Sequence, residues 1–460
     1  MRQTKELKKN MILVIGDWSS CIGQWVGWLL MLCFICSCSV SKQIGKQANS
    51  ILLSDSAIAT GHIGISIYEP ATNKYWYNYD ADKYFIPASN TKLFTLYAGM
   101  KYLGDSLVGA KVFEVNDTIY FQPTGDPTFL HPDFNNQPFL KLLKPLKRKY
   151  YLIPFKVEFQ KYGPGWAWND SEESYMAERS SFPVYGNVFT FYIKDNALIS
   201  IPPASTTKKY FGETMISLLS KRKSYKVARS NDHPIFYFKD SDKKFSSQQI
   251  PFPTDRIFHD QMLLLCDTLK IDKARMELNF VSDFNWQTIH SQPSDSLFKP
   301  MMHRSDNFFA EQTLLMASNE HLGFMSDEKI IDTILKFDLK DVPQRPKWVD
   351  GSGLSRYNLF TPQSFVYILN KTKNEFGWDR LKNILPTGGT GTLSNYFKDA
   401  RGFIYAKTGT LSNNCALSGF LITKKGKLLI FSILTNNYIT GATPVRKAVE
   451  KFLLNIREKN

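Results

Sequence analysis

Cysteine is scarce in this chain and unevenly placed. Of six in 460 residues, Cys21, Cys33, Cys36 and Cys38 fall within the first forty, leaving Cys266 and Cys415 for the rest. That excludes a disulfide-stapled scaffold; a single Cys266–Cys415 bridge stays open. The seven histidines show no H-x-x-x-H spacing, and no zinc pattern is present. No metal and no other cofactor is therefore expected. Gly388-Gly389-Thr390-Gly391 lacks the Lys-Ser/Thr of a phosphate loop and reads as a turn. No apolar run convincingly reaches the ~20 residues of a membrane span. There is no internal repeat, low-complexity tract or nucleic-acid motif. Negative charge is short too: 42 Asp and Glu face 57 Lys and Arg, a net +15. That balance favours an anionic partner, and a carboxylate-bearing polymer suits it as well as nucleic acid does. The basic clusters at Lys144–Lys149 and Lys221–Lys223 read as solvated faces.

What is present begins with an N-terminal address. Lys5, Lys8 and Lys9 precede an apolar stretch densest from Val26 to Ile35. This suits a secretory signal over residues 1–37. Ile35-Cys36-Ser37-Cys38 resembles a bacterial lipobox, with Cys38 as the lipidation site, although Cys36 is unusual at its position. An uncleaved anchor or an ordinary cleaved signal is the alternative, and Asp17 leaves a later start codon open. Residues 38–50 read as a polar tether.

Beyond the tether, His62–Glu69 alternates apolar and polar residues, as a strand does, and Lys74–Tyr79 is its hairpin partner. Leu93, Leu96, Tyr97 and Met100 recur at helical spacing after Pro87. The long stretch to Ser305 differs in character. It carries short aromatic strands, such as Lys111 to Phe121 and Phe189 to Ile193, punctuated by Pro and Gly. Residues 107–290 therefore read as one or two inserted β-rich domains, flanked by a catalytic domain made of 51–106 and 291–460. A helix is expected from about Asp306 to Glu320. The hairpin Leu417–Thr423 and Leu428–Thr435 turns at Lys424–Lys427, and a closing helix runs from about Thr443 to Arg457.

Three motifs stand in order: Ser89-Asn90-Thr91-Lys92, Ser305-Asp306-Asn307 and Lys407-Thr408-Gly409. Each alone is weak; the ordered set is that of penicillin-recognising serine enzymes. A serine hydroxyl needs a base within hydrogen-bond reach. Lys92, one helical turn from Ser89, can serve if it loses its charge, which requires a drop of roughly two to three pKa units. The helix N-terminus and a nearby Lys407 are the expected causes. Ser89 attacks, Lys92 takes its proton, and Ser305 relays a proton to the leaving amine within a network including Asn307. Lys407-Thr408-Gly409 belongs on an edge strand, with Lys407 and Thr408 binding the substrate carboxylate. Gly409 is expected to let an extended substrate approach the backbone. Backbone N–H groups of Ser89 and Thr410 suit an oxyanion hole.

On these motifs the chain resembles the class C low-molecular-mass penicillin-binding proteins, the D-alanyl-D-alanine carboxypeptidase/endopeptidase group. Further matches are Pro87-Ala88-Ser89-Asn90-Thr91-Lys92-Leu93, Gly125-Asp126-Pro127-Thr128, Gly163-Pro164-Gly165-Trp166 with Asn169-Asp170, Asp350 to Arg356, and Lys407 to Leu411. The resemblance implies an α+β fold: a penicillin-binding transpeptidase-like domain, antiparallel sheet packed with helices, interrupted by the insertion. It implies a penicillin-sensitive periplasmic peptidase acting on peptidoglycan stem peptides, anchored to the outer membrane if Cys38 is lipidated. It also implies that Asp170 and Arg356 face the side chain of the stem-peptide diamino acid, with Trp166 and Tyr175 as pocket walls. Asp306 stands where many relatives carry Asn. A serine β-lactamase and a catalytically idle wall-binding lipoprotein are the alternatives.

Overall fold

The computed structural model describes residues 40–144, 148–154, 156–195, 197–203, 224–230, 235–251, 259–272, 276–278 and 284–460. The expected signal, Cys38 and the cluster at Lys221–Lys223 lie outside the described residues, as does part of Lys144–Lys149. Among the described residues no helix is long and apolar enough to cross a membrane.

The alternation at His62–Glu69 forms strand β1, and Lys74–Tyr79 forms its antiparallel neighbour β2. Helix α1 (Lys92–Tyr102) follows a 3₁₀ turn at Ala88–Thr91. Then come β3 (Ser106–Val115), β4 (Thr118–Pro123), β5 (Lys149–Leu152), β6 (Val188–Lys194), β7 (Ala197–Ile201), β8 (Ser224–Arg229), β9 (Phe236–Lys244) and β10 (Ser247–Pro251). Helix α2 (His259–Leu269), β11 (Met276–Leu278) and β12 (Gln287–Pro293) end this stretch. Helices α3 (Ser294–His303), α4 (Asn307–Leu322), α5 (Asp327–Thr333), α6 (Pro362–Phe376) and α7 (Trp378–Ile384) precede β13 (Ile404–Leu411), β14 (Asn414–Ile422), β15 (Leu428–Asn436) and the closing α8 (Ala442–Lys459).

One antiparallel sheet, ordered β13-β14-β15-β1-β2, joins the two ends of the chain. Ile63, Ile65 and Ile67 pack with Phe431 and Ile433 against Val445, Phe452 and Ile456 of α8. The opposite face meets α1, α4 and α6, with Phe94, Leu314 and Phe365 in the core. Gly64 lies on that face because a Cβ there would sit 2.5 Å from the Phe85 ring. Burial of α1 from Lys92 to Met100 leaves that helix without a polar stripe.

The inserted stretch builds its own aromatic core, including Phe121, Phe129, Phe182, Phe189 and Phe236. Its main sheet is ordered β11-β5-β4-β3-β12, beside a three-stranded sheet β10-β6-β7 and the pair β8-β9. Strand β12 pairs antiparallel with β3, so the chain enters and leaves the inserted stretch at neighbouring points.

Two expectations need correction. Lys111 to Phe121 is not one strand but parts of β3 and β4, separated by a turn with Asn116 at φ +51°. Asn tolerates that left-handed turn, so the apolar run folds back rather than continuing. The expected tether is helical at 40–48, continuing through Asn49–Leu53. Ile44, Ala48 and Leu52, four residues apart, are wholly buried in the core beside α8. Cys266 and Cys415 are both buried and are not joined by a disulfide, so the bridge left open is not made.

Candidate active site

Ser89 sits in the 3₁₀ turn, and the chain around it is held from three sides. Thr91 Oγ1 donates to Ala88 O at 2.9 Å, and Asn90 Nδ2 donates to Ser418 Oγ of β14 at 2.7 Å. Gly353, at φ +80°, lies against Ala88 O, where a Cβ would come within 1.9 Å. Gly409 of β13 does the same from another direction: its Cβ would lie 2.5 Å from Pro87 O and 3.1 Å from Ser89 N. This corrects the reading of Gly409. Its missing side chain admits the turn that carries Ser89, not a substrate.

Lys92 Nζ lies 3.1 Å from Ser89 Oγ, 2.7 Å from Asn307 Oδ1 and 2.7 Å from Ser352 O. Asn307 Nδ2 donates to Tyr175 O at 3.0 Å, which fixes its amide with Oδ1 toward the lysine. A neutral amine fits this cage: two N–H groups go to Asn307 and Ser352, leaving the lone pair for the Ser89 hydroxyl. Burial lowers the Lys92 pKa to about 8, while the charges of Asp350, Glu311 and Asp306 push it back up. The expected helix-dipole and Lys407 effects are thus not the main cause, because complete burial outweighs them. Like-charge repulsion acts on the other lysine: Lys407 is lowered well below its ordinary value by burial, then by Lys92 and Arg446.

Ser305 lies between α3 and α4 in the left-handed region, at φ +61°, a conformation that costs a non-glycine residue. Lys407 Nζ donates to Ser305 Oγ at 2.9 Å and to Thr408 O at 2.7 Å. The expected single network is therefore two limbs, Lys92 with Ser89 and Asn307, and Lys407 with Ser305, which open on the same cleft. Asp306 caps α4, its Oδ1 accepting from Phe309 N at 3.0 Å. Lys407, Thr408, Gly409 and Thr410 stand on β13, an edge strand of the sheet.

A cleft of about 740 Å³ opens over Ser89, Ser305 and Asn307 and is lined also by Asp170, Tyr175 and Arg356. Tyr175 hydrogen-bonds Asp170, and burial and that carboxylate push its hydroxyl up to about 12. Arg356 donates to Ser412 O at 3.3 Å. Trp166 is not a cleft wall, as its Nε1 donates to Asp350 Oδ2 at 2.9 Å behind the loop. Asp350 also accepts from Gly353 N, Ser355 N and Asn358 Nδ2, so each of its carboxylate oxygens has two donors.

Three residues at the site escaped the sequence reading. Glu311, one turn after Asn307 on α4, accepts from Ser352 N at 2.8 Å and so holds the carbonyl that Lys92 uses. Thr392 and Arg446 line a smaller pocket of about 300 Å³ beside Ser89. The glycine-rich turn before Thr392 pointed to the neighbourhood; nothing in the sequence pointed to Arg446.

The model of the D-Ala-D-Ala carboxypeptidase 3 (S13) family matches residues 46–228 and 283–456. A D-alanyl-D-alanine carboxypeptidase of Actinomadura sp. is 24% identical over 460 aligned residues, covering 86% of this chain and 81% of its own. Carboxypeptidase DacB of Mycolicibacterium smegmatis is 33% identical over 171 residues, which span 34% of this chain and 37% of that protein. The crystal structure of penicillin binding protein 4 (dacB) from Haemophilus influenzae superposes with a TM-score of 0.67 at 18% identity, covering 90% of this chain and 99% of that one. That likeness shows the α+β penicillin-binding fold. The chain belongs to the D-Ala-D-Ala carboxypeptidase 3 (S13) family.

Proposed function

We propose that the chain is a serine DD-peptidase working through an acyl-Ser89 intermediate, cleaving D-Ala-D-Ala ends or D-Ala–diamino acid cross-links of peptidoglycan. The observation that carries this is the Lys92 cage, which leaves a lone pair for the Ser89 proton. Ser89 Oγ bonds to the carbonyl carbon of the penultimate D-Ala as its proton passes to Lys92. The backbone N–H groups of Ser89 and Thr410 hold the oxyanion. The C–N bond then breaks, the leaving amine takes the Ser305 proton, and Lys407 resupplies Ser305. Lys407 suits that step because its surroundings disfavour its charge. Water then cleaves the Ser89 ester, and solvent exchange resets the two lysines.

Asp170 and Arg356, at the mouth of the same cleft, are proposed to read the diamino acid side chain. Residues 51–106 and 291–460 form the catalytic domain in this reading and 107–290 the insertion, with β3 and β12 as its adjoining ends. The reading includes a periplasmic location and a lipid anchor at Cys38, for which the support is the signal-like N-terminal sequence. The solved relative from Haemophilus influenzae has been crystallised with a β-lactam, which supports penicillin as an inhibitor here.

Intact-mass spectrometry after incubation with benzylpenicillin tests the assignment. One drug-sized adduct is expected on the wild type and none on Ser89→Ala, alongside D-alanine release from a pentapeptide. An unmodified wild type, or an adduct that survives Ser89→Ala, would overturn it.

A further inference from the structure

A second hollow, of about 380 Å³, adjoins the catalytic cleft across the Ser305–Asn307 loop, and Tyr175, Ser305 and Asn307 line both. One wall comes from the inserted stretch and is the face of the sheet β10-β6-β7. Thr190 of β6 stands directly opposite Ile201 of β7 on one side and Gln249 of β10 on the other, so the three form a row across the sheet. Gln249 Nε2 donates to Thr190 Oγ1 at 3.3 Å. Val188, two residues before Thr190, shares that face. The opposite wall carries Arg304, whose guanidinium is already held by Asp133 and Asp306. The His131 ring lies 5.0 Å from that of Phe309, and burial keeps its pKa below the ordinary value. The hollow thus sets apolar surface beside neutral hydrogen-bonding groups, and its cation is already matched.

We propose that this hollow is a subsite for the second peptide strand of a cross-link, the strand that departs with the leaving amine. The inference rests on the DD-peptidase reading above and deepens it. Its place follows from Ser305. In that reading the leaving amine takes its proton from Ser305 Oγ, so whatever the amine carries starts beside Ser305, where the hollow opens. The acyl part lies in the larger cleft with Asp170 and Arg356.

The two classes of leaving group differ in what they could place there. A terminal D-Ala has only a methyl side chain and leaves the hollow unfilled. The diamino acid of a cross-link carries a methylene chain, then the backbone of its own stem peptide. Val188 and Ile201 suit the methylenes, and Thr190 and Gln249 suit the neutral amides that follow. The volume lies within the range of small-molecule sites, which is room for a short stretch of peptide. The three motifs carry out the same chemistry on either leaving group. The preference for cross-links is therefore set by the inserted stretch, through its sheet face.

The experiment compares kcat/KM on a tetrapeptide dimer cross-linked from D-Ala to diaminopimelate with that for D-alanine release from the matching pentapeptide. Thr190→Trp fills the hollow from the middle strand. Gln249 is exposed at its rim, so Gln249→Trp narrows the entrance without loading the core and keeps the test open if Thr190→Trp fails to fold. In both variants the dimer-to-pentapeptide ratio should fall by at least about tenfold, the order expected when a substrate group is refused its pocket. A ratio that either folded variant leaves at the wild-type value would overturn the subsite alone. So would a wild type that releases D-alanine but leaves the dimer uncut. Benzylpenicillin has no second strand; acylation by it that falls as far as dimer cleavage would put the effect at Ser89 and also overturn the subsite. A wild type inactive on both peptides would remove the peptidase reading, and the subsite with it.

Discussion

In the proposed mechanism Lys92 carries a heavy demand, because it must act uncharged from a wholly buried cage near three carboxylates. Burial brings its pKa to about 8, and Asp350, Glu311 and Asp306 hold it above where burial alone would leave it. A base works only when deprotonated. Acylation should therefore fall about tenfold per pH unit below pH 8 and level off above it. Glu311 offers a way to move that limb. It does not touch Ser89, but its carboxylate holds Ser352 N, and its charge opposes loss of the Lys92 proton. Glu311→Gln keeps an acceptor for Ser352 and removes the charge. The acid limb of the acylation rate, followed with a β-lactam from about pH 6 to about pH 10, should shift to lower pH. A limb that stays in place would show that Glu311 has no electrostatic hold on Lys92. The five motif residues were legible because their types and spacing are short-range. Glu311, Thr392 and Arg446 were not, because each is one residue whose role comes only from what folding brings beside it.

At the scale of elements, the close approach of β13 to the Ser89 turn decides whether the site exists. The turn and the strand meet backbone to backbone, and Gly409 is what permits it. Gly409→Ala would place a methyl group 2.5 Å from Pro87 O and 3.1 Å from the N atoms of Ser89 and Asn90, all three of them main chain. Strand and turn must then separate, carrying Thr410 N away from Ser89. We expect a loss of about 1–3 kcal/mol of stability, as for overpacking in a core, and acylation at least tenfold slower. Thermal melting and β-lactam acylation measure the two effects; an unchanged acylation rate would count against the contact. The elements differ in how far the sequence announced them. Strands β1, β2, β14 and β15 were readable because apolar runs and turn residues bound them, and α8 because its stripe repeats. The helix at 40–53 was not, since Ile44, Ala48 and Leu52 stand among polar residues that mask a narrow apolar stripe. The β3–β4 turn was hidden inside a continuous β-prone run. Gly409 showed why a glycine can be noticed yet misread: the sequence does not say on which side the crowding lies.

For the molecule as a whole, the inserted stretch helps build the candidate site. Tyr175 orients Asn307 through its carbonyl, and Ser355 Oγ donates to Pro164 O at 2.7 Å. The deepest tie is Arg179, whose guanidinium enters the catalytic half and pairs with Glu311 of α4 and Asp327 of α5. One cation serves two buried carboxylates, with Asp350 nearby. Burial, then Asp350, raises the Glu311 pKa to about 7, with Asp327 adding to the rise, while Arg179 and Ser352 oppose it. A carboxyl group with a raised folded-state pKa stabilises the fold below its unfolded value of 4.5, and that contribution is lost as pH rises through about 7. Arg179→Met keeps much of the side chain's volume and removes its charge. Leaving the two carboxylates without their cation should cost about 3–5 kcal/mol. The sign of its pH dependence follows from Glu311. Below pH 7 that residue can take a proton, and only Asp327 remains exposed to the loss. Above pH 7 both carry charge, and the deficit grows. Denaturant melts of wild type and Arg179→Met should therefore differ more at pH 8.5 than at pH 6. The same variant should disturb acylation, because Glu311 leads through Ser352 to the Lys92 cage. An equal deficit at both pH values would mean that Arg179 docks the insertion by packing alone, without the charge link from the inserted stretch to the catalytic base.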